Sequence, residues 1–103
     1  MKLIVMKFGG TSVGSIDKIN NVANIVETHL NNQKLIVVLS AMSGVTNKMQ
    51  EYIDEIESKE IVENDLILTS GEAVSVGLLS AILKKRNITV SYTHLTLPTI
   101  CSV

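Results

Sequence analysis

Val5-Met6-Lys7-Phe8-Gly9-Gly10-Thr11-Ser12-Val13 is an apolar run that ends in a lysine and is followed by two glycines and two hydroxyl residues. Those are the parts that a phosphate site asks for. A strand sets the direction, Gly9 and Gly10 let the backbone approach a ligand closely, and Thr11 and Ser12 offer hydroxyls. Lys7 supplies a point charge against phosphate. A glycine pair after a strand serves a tight strand-to-helix turn equally well, so this stretch alone leaves both readings open. Two further stretches bear on the choice, Ser40-Ala41-Met42-Ser43-Gly44-Val45-Thr46-Asn47 and Thr69-Ser70-Gly71-Glu72.

Working outward, Leu3, Ile4, Val5, Met6 and Phe8 form a near-continuous apolar run, the pattern of a strand buried on both faces of a parallel sheet. Ser15 is placed to cap a helix carrying Ile16, Ile19, Val22, Ala23, Val26 and Leu30 at helical spacing, ending near Asn31 and Asn32. His29, near its end, reads as a surface residue. Leu35–Leu39 predicts a second strand that runs straight into Ser40. Two consecutive βα units imply parallel strands with a right-handed crossover. Their loops then share the carboxyl edge of the sheet, where open α/β sheets hold ligands, so Lys7–Ser12 and Ser40–Thr46 should line one cleft.

Beyond Thr46, residues Met49, Tyr52, Ile53 and Ile56 mark a second amphipathic helix, and 58–64 reads as a polar connection. A long helix is predicted from Leu66 through Leu68, Val74, Leu78, Ile82 and Leu83 to Lys84-Lys85-Arg86, whose charges suit a helix C-terminus. Gly71 interrupts it at about 1 kcal/mol relative to alanine, which points to a packing or ligand reason. The pattern favours a solvent-facing Glu72 over a recognition group. Ile88–Tyr92 is read as a third strand. The expected fold class is α/β, a partial parallel sheet of two to three strands with helices on both faces.

Composition narrows the function. A net charge of −1 and three aromatics without Trp argue against a nucleic-acid partner. The single cysteine, Cys101, allows no internal disulfide and suits a reducing compartment. Neither a signal-peptide pattern nor an unbroken apolar run of about 20 residues is seen, so a cytoplasmic protein without a membrane partner is expected.

Taken together, the three stretches resemble the aspartokinase branch of the amino acid kinase family. Lys7-Phe8-Gly9-Gly10-Thr11-Ser12 is similar to its opening signature, Ser40 to Asn47 to its second loop, and Thr69-Ser70-Gly71-Glu72 to its Ser-Thr-Gly-Glu with the two hydroxyl residues exchanged. The similarity covers residues 1–89, read as the N-terminal part of such a kinase domain. It implies transfer of the ATP γ-phosphoryl group to the β-carboxylate of L-aspartate, at the start of lysine, threonine and methionine synthesis, with Mg²⁺ accompanying ATP. Lys7 would be the catalytic charge. ATP phosphates would be bound by Lys7, Phe8, Gly9, Gly10, Thr11, Ser12 and Ser40, and aspartate by Thr46 and Glu72. No residue is assigned to a metal, and the parent enzyme would be a homo-oligomer.

The resemblance stops after about residue 90, where Val90–Thr99 instead resembles the in-frame translation of a transposon-end sequencing adapter. Residues 90–103 are therefore read as a non-native tail, and the chain as a part of the enzyme inactive alone. Two alternatives stay open, another amino acid kinase and a non-catalytic α/β module that binds a phosphate-bearing ligand.

Overall fold

A computed structural model of the chain describes residues 2–31, 33–92 and 100–102. In it β1 (Lys2–Phe8) leads to α1 (Ile16–Thr28), β2 (Gln33–Leu39), α2 (Val45–Glu55), α3 (Ile61–Lys85), β3 (Ser91–Tyr92) and β4 (Ile100–Ser102). Strand β1 pairs with β2 in parallel, with Lys7 opposite Val38 and Phe8 opposite Leu39. Both strands therefore end level, and both following loops leave the same sheet edge.

Local chemistry explains the first units. The Ser15 side chain accepts a hydrogen bond from the Lys18 amide at 3.2 Å, so the expected cap of α1 is formed. Ile19, Val22, Ala23 and Val26 then point inward from α1 against Leu35, Val37 and Leu39 of β2 and Val76, Leu79 and Leu83 of α3. Ile4, Met6 and Phe8 of β1 pack against the same cluster. Each fully buried Leu, Ile or Val contributes about 1.5–3 kcal/mol from removal of its surface from water. At the far end of α1, His29 is exposed and its Nδ1 lies 2.8 Å from the Ile25 carbonyl. Arg86 ties the ends of the two core helices together, donating to Asn24 Oδ1 at 2.9 Å and Glu27 Oε2 at 3.0 Å.

The α/β class is as expected, and three details differ. Helices α1 and α3 share one face of the sheet, while the other face leaves Leu3 60% and Val5 62% exposed. The helical layer expected there is not among the described residues. The slot beside β2, which a simple βαβ crossover would give to β3, is filled by β4, antiparallel to β2, and β3 is antiparallel to β4 in turn. Strand β3 thus runs in the direction of β2, one strand removed, and is two residues long rather than five. Helix α3 starts at Ile61, within the stretch read as a connection, because Glu63, Asn64 and Asp65 lie comfortably in a helix whose amide at Asn64 already bonds the Glu60 carbonyl at 2.9 Å.

By length and composition α3 is also apolar enough to cross a membrane, although no unbroken apolar run reaches that length. Its residues Val76, Leu79 and Leu83 belong to the core cluster.

Candidate active site

The two loops at the carboxyl edge are built into each other. The Ser40 amide continues the β1–β2 ladder by donating to the Phe8 carbonyl at 3.1 Å, and the Ser43 amide donates to the Gly10 carbonyl at 3.2 Å. A Cβ on Gly10 would stand 2.9 Å from the Ala41 carbonyl oxygen, so only glycine allows this approach. Gly9 differs from its neighbour. It has no positive φ, and a Cβ there would meet nothing within 4 Å. The fold does not demand a glycine at 9, so its bare backbone, two residues from the exposed Lys7, is free to be approached from outside.

Helix α3 closes on the same loop. A Cβ on Gly71 would lie 2.7 Å from Val45 Cγ1 and 2.8 Å from Ala41 Cβ, the packing reason that its position in a helix suggested. The stretch Ala41–Val45 is therefore a hub touched by the first loop through Gly10 and by the third motif through Gly71. Gly44 turns this stretch into α2 with φ of 87°, a conformation that favours glycine.

Glu72, next to Gly71, is half-buried, and its Oε2 is shut away from solvent without a hydrogen-bond partner. Burial pushes its carboxyl above the ordinary glutamate value. The solvent-facing placement that pattern favours is thus corrected, since Glu72 is half-buried with one carboxylate oxygen closed off from water. An orphaned carboxylate oxygen is costly unless something donates to it, and a ligand ammonium group is a fitting donor.

The remaining expected site residues fall in two places. Lys7 shares the strand face of Leu3 and Val5, away from α1 and α3, and is exposed. Ser40 is half-buried at the end of β2, and Thr46 is exposed in the first turn of α2. Thr11 and Ser12, with Phe8, instead line a cleft of about 280 Å³ against α1, formed with Lys18, Asn21, Val22 and Ile25. The two hydroxyl residues are therefore not brought onto the face that carries Lys7. Lys18 and Asn21 escape sequence reasoning, although their spacing with Val22 and Ile25 places all four on one helix face. Among the described residues no group of three or more His, Cys, Asp or Glu is placed to hold a metal ion.

With this geometry in place, the chain matches the amino acid kinase family over residues 2–100. It belongs to that family. Aspartate kinase from Pseudomonas putida is 48% identical over 96 residues, which cover 90% of this chain and 23% of that protein. The structure of aspartate kinase from Synechocystis superposes with a TM-score of 0.75 at 40% identity, covering 82% of this chain and 15% of that one. Aspartokinase III from E. coli, solved with aspartate and ADP, gives 0.63 at 27% identity, over 84% of this chain and 30% of that chain. The chain thus spans about a quarter of the length of the Pseudomonas relative.

Proposed function

We propose that this chain carries the phosphate-facing and amino-acid-facing loops of an aspartate kinase, which transfers the ATP γ-phosphoryl group to the β-carboxylate of L-aspartate. The observation that carries the reading is the convergence of the three motifs on Ala41–Val45, with the partnerless Glu72 carboxylate beside the Gly71 contact. The similarity to an aspartokinase solved with aspartate and ADP supports the choice of both ligands.

In the proposed reaction an aspartate β-carboxylate oxygen bonds to the γ-phosphorus while the bond from that phosphorus to the β–γ bridging oxygen breaks, releasing ADP. The attacking carboxylate is already deprotonated, so no protein base is needed. Catalysis is positioning and charge stabilisation. Lys7 offsets phosphate charge, and the backbone at Gly9 and Gly10 gives close approach. Ser40 stands near the transferred group, and Thr46 and Glu72 hold aspartate, with Glu72 facing its ammonium. Mg²⁺ would accompany the nucleotide and offset the charge of its phosphates.

On this reading the reaction belongs to the branch of metabolism that starts lysine, threonine and methionine synthesis, in the cytoplasm and in a homo-oligomer. Residues 90–103 contribute nothing to the site. The 103-residue chain is inactive alone, because most of the length of its relatives is absent from it.

The test joins residues 1–89 to the remaining length of the Pseudomonas putida relative and traps aspartyl phosphate with hydroxylamine. ATP-dependent hydroxamate is expected from the joined protein and none from the 103-residue chain. Replacing Lys7 by Ala should lower kcat by about 10²–10³-fold, the loss typical of one preorganised charge-stabilising group. A joined protein that folds and binds ATP yet never phosphorylates aspartate contradicts the proposal.

A further inference from the structure

Gly71 and Gly77 lie six residues apart on α3, yet only one of them is crowded. A Cβ at 77 would meet nothing within 4 Å, whereas one at 71 would press on Val45 Cγ1 and Ala41 Cβ at 2.7 and 2.8 Å. Both distances are too short for a real Cβ contact, and the two atoms belong to opposite ends of the loop that leads from β2 into α2. Ala41 is 7% exposed, and its Cβ is fixed directly to the backbone, so it cannot swing aside. One turn along the helix, the buried Ser75 hydroxyl donates to the Gly71 carbonyl at 3.4 Å. That bond lies within α3, so the separation of the helix from the loop is set at Gly71 by Ala41 and Val45 alone.

We propose that Gly71 is a positioning residue for the amino-acid substrate: its missing side chain sets how closely α3 lies against Ala41–Val45, and so where the Glu72 carboxylate stands relative to Ser40 and Thr46. This rests on the reading of Glu72 as the ammonium partner. Gly71 and Glu72 are consecutive residues of one continuous helix, so a shift of the helix at 71 carries Glu72 with it, although the two face about 100° apart around the axis. Added volume at 71 must move α3 outward, because neither Ala41 nor the first turn of α2 has a flexible end to yield. The consequence for Glu72 is twofold. Its Oε2 gains access to water, and its distance to anything bound at the loop changes.

The experiment has two arms. In the first, the Glu72 side-chain carboxyl of the 103-residue chain is titrated by carbon-detected NMR. The wild type should titrate above the ordinary glutamate value and Gly71→Ala close to it. The triple variant Gly71→Ala/Ala41→Gly/Val45→Ala, which removes both crowding atoms, should return the titration toward wild type. In the second, the protein of relatives' length described above is assayed, and Gly71→Ala should raise the KM for aspartate by roughly 10- to 100-fold, the scale of a misplacement near 1 Å, with the KM for ATP within about twofold.

A folded Gly71→Ala variant with an unchanged Glu72 titration overturns the proposal, as does a triple variant that folds without restoring it or stays unfolded. If Gly71→Ala alone does not fold, the triple variant decides. Absence of aspartate phosphorylation by the wild-type protein of relatives' length would count against the kinase reading alone, since the titration arm needs no substrate.

Discussion

The two halves of α3 have similar composition and opposite fates. From Gly71 to Leu83 the helix buries Ser75, Val76, Leu79, Ser80 and Leu83 against β2, α1 and the Ala41–Val45 loop. From Ile61 to Ser70 it leaves Ile61 78%, Val62 76% and Leu66 65% exposed. An apolar helix carries no face of its own choosing, so its neighbours decide which residues go inside. The packed half is the one that carries the third motif, and the motif is placed by that packing.

Substitutions can sharpen or break this contrast. Leu79→Ala, in the packed half, is expected to cost about 2–5 kcal/mol by opening a cavity under β2. Leu66→Ala, in the exposed half, should stay within about 0.5 kcal/mol. Equilibrium urea unfolding of both variants measures the difference, and comparable losses would show that the outer half is packed as well. Next in size is the glycine pair. Gly71→Ala should destabilise by about 1–3 kcal/mol through overpacking, while Gly77→Ala should stabilise by up to about 1 kcal/mol because alanine is the better helix former in open space. Two changes of the same sign would break the argument from crowding.

The smallest effect concerns pH. The Glu72 carboxyl is raised by burial, so between its unfolded and folded pKa values the folded chain holds the extra proton. Its contribution to stability is therefore greatest below the ordinary glutamate value and declines as pH rises through the raised one. Glu72→Gln should remove this decline from a plot of unfolding free energy against pH. A plot unaltered by the substitution would mean that Glu72 is fully solvated.

Much of this was legible in the residues. Strand β1, the Ser15 cap, the inward positions of α1 and strand β2 follow from local pattern, and the parallel pairing that puts both loops on one edge follows from two βα units in succession. The class of the fold and the shared sheet edge of the two loops were therefore readable. What escaped was nonlocal. Nothing local in Ile100–Ser102 announces that it enters beside β2, because strand order is settled between segments far apart in the chain. The close packing of Gly71 was hidden for a similar reason, since it meets Ala41 and Val45, some 30 and 26 positions earlier, and the burial of Glu72 beside it is not written in the pattern of α3 either. Thr11 and Ser12 fit a phosphate loop by sequence, yet both residues line the cleft against α1, a placement that spacing alone does not specify.

Amino-acid recognition rests most directly on Glu72 as the group that reads the ammonium. The decisive measurement compares L-aspartate with succinate, which keeps both carboxylates and lacks the ammonium, in the protein of relatives' length with and without Glu72→Gln. The wild type is expected to bind aspartate more tightly than succinate, and Glu72→Gln to erase the preference, mainly by weakening aspartate. A preference that survives the substitution unchanged would contradict this role of Glu72.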